Sequence, residues 1–384
     1  MLSRRSHFTT EESAWAGQLR RARASGRKLL DLTQSNPTQV GLPWDGAAVG
    51  EALRTASTVA YSPEPFGLAS ARAAVAAELS AGGVQVDPEH VLLTASTSEA
   101  YAYALKLLAD AGDRIWSAVP SYPLLEHLAQ LEQVELMHSA LQYDGAWHYP
   151  VLDAAATVGA RALFVVNPNN PTGNFLQQSE LEGIARLGLP LVSDEVFSAF
   201  ALSPSATTCS ALGADVPLAL VFGGLSKYVG LPQLKLSWMV LGGEPRQLRL
   251  ARERLEIIAD AFLSVATPIQ LALPAIFESG ETTRATIKHR IRANLADLQR
   301  MADGSALSVL PVQGGWYAPL RLPATQSDDA WSQRFLEDCD VVVQPGWLYD
   351  FERPQYVVVS LITPEAELRG GFERMLEAVA QDCS

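Results

Sequence analysis

Lys227 closes an apolar run, Leu218-Ala-Leu-Val-Phe-Gly-Gly-Leu-Ser-Lys227. The chain has only five lysines (Lys28, Lys106, Lys227, Lys235, Lys288) against twenty-four arginines. A protein that uses arginine wherever a cation suffices keeps lysine where an amine itself is needed. At the end of a strand, desolvated on one side, a lysine amine has a lowered pKa and can serve as an imine-forming nucleophile. The plainer account is a lysine whose stem lies along apolar surface while its amine reaches water.

Three further segments carry candidate chemistry. In Val165-Val166-Asn167-Pro168-Asn169-Asn170-Pro171-Thr172-Gly173 two prolines and a glycine force a rigid turn straight after a strand. Open α/β sheets bind ligands at that edge. In Leu191-Val192-Ser193-Asp194-Glu195 two adjacent carboxylates close an apolar strand. One of them should be partly buried, and a buried carboxylate needs a cationic partner; otherwise the pair is a helix N-cap and a first-turn acid. In Val91-Leu-Leu-Thr-Ala-Ser96-Thr97-Ser98 a strand runs into a hydroxyl-rich helix start. Free N–H groups, the helix dipole and the hydroxyls together make an anion cradle, although the same serines also serve as simple N-caps.

These segments need a frame. Apolar runs at Val91–Thr94, Arg114–Val119, Ala162–Asn167, Leu189–Ser193, Leu218–Phe222 and Ser237–Leu241 lack clean alternation, as expected of strands covered on both faces. Helical patterns lie between them, at Ser98–Leu108, Tyr122–Leu131 and Ser179–Leu187. The last opens on Ser179-x-x-Glu182, a capping box. Alternating strands and helices predict an α/β fold with a mostly parallel, doubly wound central sheet and helices on both faces. After Pro268 the texture changes: a long helical stretch (Glu281–Met301), Gly314-Gly315-Trp316-Tyr317, strands at Val341–Gln344 and Tyr356–Ile362, and a closing helix at Glu367–Ala380. The division expected is a large domain over 47–267 and a smaller α+β domain formed by 268–384 with the N-terminal 1–46.

In order and spacing the four segments resemble the class I/II aminotransferases, pyridoxal 5'-phosphate (PLP)-dependent enzymes of fold type I. The likeness runs from about Asp31 to the C-terminus. It rests on the Asn-Asn-Pro-Thr-Gly run, the Asp-Glu pair and Ser226-Lys227 with a cation eight residues on. Gly224-Leu-Ser-Lys227 with Trp238-Met-Val-Leu beyond looks most like the alanine/aspartate aminotransferase branch. The resemblance implies that Lys227 holds PLP as a Schiff base and moves the proton in transamination. It implies that Asp194 pairs with the ring N–H, Asn170 donates to the ring oxygen, Tyr122 stacks on the ring, and Thr97, Ser98, Ser226 and Lys235 hold the phosphate. Tyr61 would reach the neighbouring subunit's phosphate, implying a homodimer with shared sites. Ser35 and Asn36 with Pro37, and Gly315 with Trp316, would line the substrate mouth.

The chain departs from that pattern at four positions. Phe197 stands where a tyrosine commonly bonds the ring oxygen. Lys235 replaces the phosphate arginine and loses its bidentate fork. Gly224 stands where a phosphate-binding serine is common. Val358, in Tyr356-Val-Val358-Val-Ser360, occupies the place of the arginine that clamps the substrate carboxylate. Either another arginine, for instance Arg353 or Arg321, reaches the site, or the substrate lacks a free α-carboxylate.

Composition narrows the alternatives. With 384 residues, 48% hydrophobic and 18% charged, the chain suits a globular enzyme. Its net charge of −13 argues against nucleic acid or anionic membrane as partners. Three scattered cysteines fit a reducing cytoplasm, and no apolar h-region follows Arg4-Arg5, so export is not expected. The six histidines show no metal spacing. The expected activity is transfer of an amino group between an amino acid or related primary amine and a 2-oxo acid. A PLP lyase or decarboxylase of the same fold, or a weakly catalytic PLP-binding protein, are the alternatives.

Overall fold

The computed structural model describes residues 2–8, 11–56, 60–202 and 208–382; Thr9, Thr10 and Cys383 lie outside them. Seven strands form the central sheet, in the spatial order Val91–Thr94, Ser237–Gly243, Leu218–Gly224, Leu191–Asp194, Ala160–Val166, Arg114–Val119, Glu135–Ala140. Ser237–Gly243 runs antiparallel to both neighbours and the other pairings are parallel. The α/β expectation therefore holds, with one strand reversed. Six of the seven were legible as apolar runs. The seventh, Glu135–Ala140, is an edge strand of mostly half-buried and polar positions, so it carries no continuous apolar signal.

Both faces of the sheet are covered. Leu92, Ile115, Phe164, Leu220 and Phe222 pack with Tyr101 and Leu105 of the Thr97–Leu108 helix on one side. Trp116, Leu163, Val165 and Val221 join a core on the other side that continues into Trp316, Trp331 and Phe372. The helix after the Asn-Pro turn starts earlier than its sequence suggested. It spans Gln178–Ala185, and its capping box is Gln177 with Glu180, not Ser179 with Glu182. Glu180 is held there because its second oxygen accepts the Tyr149 N–H at 2.8 Å while the first accepts Gln177 N–H at 2.7 Å.

The second sheet has four antiparallel strands in the order Ser308–Val309, Tyr317–Arg321, Tyr356–Ser360, Gln344–Pro345. The N-terminal segment is tied to this part of the chain: Leu30–Asp31 pairs parallel with Val341–Val342, and Ser360 N–H donates to Leu32 O at 2.7 Å. The long helix is longer than its charged half implied, running Thr267–Ala302 with Pro268 in its first turn and Pro274 inside. Its start packs Ile269, Leu273 and Ile276 against Val75, Leu93 and Trp238. Its end packs Ile287, Ile291 and Leu298 into the core shared with the second sheet. One rigid rod thus braces both sheets.

Candidate active site

The carboxyl ends of the parallel strands, together with one edge of the second sheet, enclose a cavity of about 280 Å³. Its wall includes Lys227, Asp194, Asn170, Tyr122, Thr97, Ser226, Phe197 and Ser35. Eight residues singled out in separate stretches of sequence are thereby brought together.

Lys227 sits one short turn past the Leu218–Gly224 strand. Its amine lies 5.0 Å from the centre of the Trp316 ring and 5.6 Å from that of Phe197. Removal from water pulls this amine down to about 8, while the negative charge of Asp194 pulls the other way. No hydrogen bond or ion pair to another described residue occupies it.

The structure separates the two carboxylates. Both are buried, but only Asp194 lines the cavity. Asp194 accepts the Tyr101 hydroxyl at 3.0 Å and the Val196 N–H at 3.2 Å. Burial still raises its pKa to about 6 against those donors and Lys227. Glu195 accepts the Ser193 hydroxyl at 3.0 Å and the Ala211 N–H at 2.9 Å, and burial lifts it to about 7. It ties a loop to the strand end.

A similar division of labour runs through the Asn-Pro turn. Asn167 donates to Cys209 O and accepts Leu176 N–H, while Asn169 donates to Pro120 O and to Thr172. Gly173 adopts a left-handed φ of 70°, and a Cβ there would lie 2.6 Å from Gly314 O, so only glycine fits. These bonds hold the turn. Of the three asparagines only Asn170 faces the cavity; its amide makes no bond to a described residue, and its Oδ1 is buried without a partner.

At the helix start, Ser96 takes the capping role, its Oγ accepting Glu99 N–H at 3.2 Å. Thr97 and Ser98 are the first two helical residues, whose N–H groups have no carbonyl within the helix. Thr97 lines the cavity and Ser98 does not.

Other residues singled out from sequence stand off this wall. Lys235 is exposed, in a left-handed turn with φ 51°. Tyr61 is 74% exposed and lines a surface hollow with Leu263 and Gln270. Asn36 spends its side chain on the Thr38 N–H and hydroxyl. Gly315 donates to Phe200 O, and Trp316 is fully buried behind Phe197 and Lys227. Val358 is fully buried in mid-strand, opposite Pro319 and Gln344. Arg321 and Arg353 line a different cavity, of about 590 Å³, with Trp147, Phe351 and Tyr356.

Several wall residues had no local signal in sequence. Tyr317, Gln344, Leu348 and Tyr349 come from the second sheet and its turn, and Ser237 from the reversed strand. The Tyr349 hydroxyl donates to Gln344 Oε1, and burial pushes Tyr317 up to about 12. Strand alternation after Trp316 could have pointed to Tyr317, since neighbouring residues face opposite sides. Among the described residues, no cluster of histidine, cysteine and carboxylate could hold a metal, and no helix is long and apolar enough to cross a membrane.

Known proteins share this arrangement of chain. The nicotianamine aminotransferase B of Hordeum vulgare is 31% identical over 244 residues, 60% of this chain. The glutamate-pyruvate aminotransferase AlaA of Escherichia coli K12 is 27% identical over 264 residues, 67% of this chain. The chain spans 44% and 65% of those two relatives' own lengths. The solved alanine aminotransferase from Pyrococcus furiosus superimposes with a TM-score of 0.87 at 22% identity, over 99% of this chain and all of that one. At that identity the likeness establishes the fold, that of the PLP-dependent aminotransferases. A family model, aminotransferase class I and II, matches residues 27–369; the chain belongs to that family.

Proposed function

We propose that this protein is a PLP-dependent aminotransferase, moving an amino group between an amino acid or related primary amine and a 2-oxo acid. One observation carries the reading. The Lys227 amine, the Asp194 carboxylate and the Asn170 amide converge on one cavity with the unpaired hydroxyls of Thr97 and Ser226. Among these, Asn170 Oδ1 is buried with no partner and the amine and hydroxyls, half-buried, face the cavity uncommitted to any described residue, so the set forms a surface suited to a polar ligand. Its parts suit PLP: an amine for the aldehyde carbon, a carboxylate for the ring nitrogen, an amide for the ring oxygen, hydroxyls and a helix start for the phosphate.

When bound, PLP supplies a pyridinium ring that delocalises the electron pair left on the substrate carbon. Lys227 would carry the cofactor, then take the proton from that carbon and return it one position along. An amine brought to about 8 exchanges protons readily near neutral pH. Asp194 would keep the ring nitrogen protonated, and Tyr101 fixes its orientation. Tyr122 would cover the ring. Phe197 and Trp316 lie against the amine and desolvate one side of it.

The wall offers substrate only neutral groups beyond Lys227 and Asp194: Ser35, Tyr317, Gln344 and Tyr349, with Leu348. A carboxylate moved into this cavity would lose water without gaining a guanidinium. This favours donors whose amine-bearing carbon carries a neutral group, an amide or alcohol, over free α-amino acids. Assembly as a homodimer is supported by Tyr61, Phe262 and Leu263, apolar side chains 74%, 54% and 38% exposed. The free thiols of Cys209 and Cys339 suit a cytoplasmic setting.

Purified protein mixed with PLP is expected to gain a visible absorption band that Lys227→Ala lacks. A primary-amine donor should bleach that band without release of ammonia or CO₂. A wild-type protein that stays colourless would sink the reading, and release of CO₂ or ammonia would favour a lyase.

A further inference from the structure

Gly223 and Gly224 end the strand that leads to Lys227, and neither is required by its backbone turn. Gly224 has φ 178°, extended geometry open to any residue. Space is what demands glycine. A Cβ on Gly224 would lie 2.3 Å from Ser237 Oγ and 2.9 Å from Ser237 Cβ. Ser237 is the cross-strand partner of Gly224 in the antiparallel pair, so its hydroxyl fills the volume that a side chain at 224 would take. Ser237 is 2% exposed and makes no side-chain hydrogen bond to a described residue, yet it lines the cavity beside Thr97, Ser226 and Lys227. Its Oγ opens onto the cavity with its donor uncommitted to any described residue, so it is free to meet a ligand there.

We infer that Ser237 is a phosphate-binding residue: its hydroxyl donates to the phosphate monoester of the cofactor, from the opposite strand, in place of a side chain at 224. The inference rests on the proposed function and adds one residue to it. The anion is met by three hydroxyls (Thr97, Ser226, Ser237) and a helix start, while Lys235 sits exposed outside the wall. Gly224 and Ser237 work as a pair, in which exchanging the two residue types keeps one hydroxyl in one place.

The test compares dissociation constants of the apoprotein for PLP and for pyridoxal, which lacks the phosphate, by fluorescence titration. A hydrogen bond to a charged group is worth about 1.5–3 kcal/mol, so Ser237→Ala is expected to weaken PLP about 10- to 100-fold and leave pyridoxal unchanged. Gly224→Ser alone should weaken PLP at least as much, through the clash. The exchange variant Gly224→Ser/Ser237→Gly should recover PLP affinity to within about threefold of wild type, as the phosphate bond is restored. Equal loss of PLP and pyridoxal in Ser237→Ala, or no loss of either, overturns the inference. So does an exchange variant that folds but binds no better than Gly224→Ser. A wild type that fails to prefer PLP over pyridoxal overturns the phosphate site itself; a wild type that prefers PLP while Ser237→Ala keeps the full preference removes Ser237 alone.

Discussion

The two sides of the Lys227 cavity are built differently. On the side of the central sheet, charged and polar groups converge from five chain segments: Thr97, Asn170, Asp194, Ser226 with Lys227, and Ser237. Two of them are held by neighbours that do not touch the cavity: Tyr101 holds Asp194, and the bonds of Asn167 and Asn169 hold the turn that carries Asn170. On the side of the second sheet the wall is neutral, made of Tyr317, Gln344, Leu348 and Tyr349. The position where the resemblance implies a cation is Val358, fully buried between two strands. On the proposed reading the sheet ends suit one anion and one ring, while the opposite wall offers substrate only shape and neutral hydrogen bonds. A fold can keep its cofactor machinery while its substrate wall changes, because the two come from different sheets.

Substitutions can break either side separately. The largest effect is expected at Lys227→Ala, which removes the proposed covalent anchor and proton carrier; turnover should fall by more than about 1000-fold, measured by steady-state transfer. Asp194→Asn leaves the Tyr101 bond possible but removes the charge proposed to hold the ring proton. Turnover should fall about 100-fold with little change in the fold, checked by kcat and by circular dichroism. Gln344→Arg acts on the other wall. A guanidinium there should raise kcat/KM for a carboxylated donor, relative to its amide, about tenfold, without altering PLP affinity. Loss of PLP binding in that variant would show that the two sides are not separable.

A smaller effect is expected in the pH dependence of the apoprotein. The Lys227 amine is lowered from 10.5 to about 8 by burial. Below about 8 both folded and unfolded chains carry this proton, and the folded one bears the cost of a buried charge. Between about 8 and 10.5 only the unfolded chain holds it, so this group makes stability rise with pH across that window. Denaturant titrations of wild type and Lys227→Met should differ in that rise, the variant being flatter.

Much of this site was legible because chemistry at a strand end leaves local marks. Lys227, Asp194 and Asn170 each lie at or just past the end of an apolar run, and the cavity lies where those runs end. Residue types alone could not separate members of a cluster, and only the family resemblance singled out Asp194 and Asn170. Asp194 from Glu195, Thr97 from Ser96 and Ser98, and Asn170 from Asn167 and Asn169 differ only in which neighbour reaches them through space. Ser237 and Tyr349 carry no local mark, since their meaning depends on which strand lies opposite and which turn folds over. The edge strand Glu135–Ala140 was silent because half-exposed positions blur the pattern. The early start of the Gln178–Ala185 helix was hidden because a distant N–H, that of Tyr149, selects Glu180.

The most direct test of the contrast between the two walls uses matched donors that differ only beside the amine: an amino acid, its amide and its alcohol. Rates of bleaching of the bound cofactor would be measured for each under single-turnover conditions. A neutral wall requires the amide or alcohol to react at least about tenfold more efficiently than the free acid, the difference expected from desolvating a carboxylate without a cationic partner. If the free acid reacts fastest with the wild type, a cation does reach the substrate, and the account of the second wall is wrong.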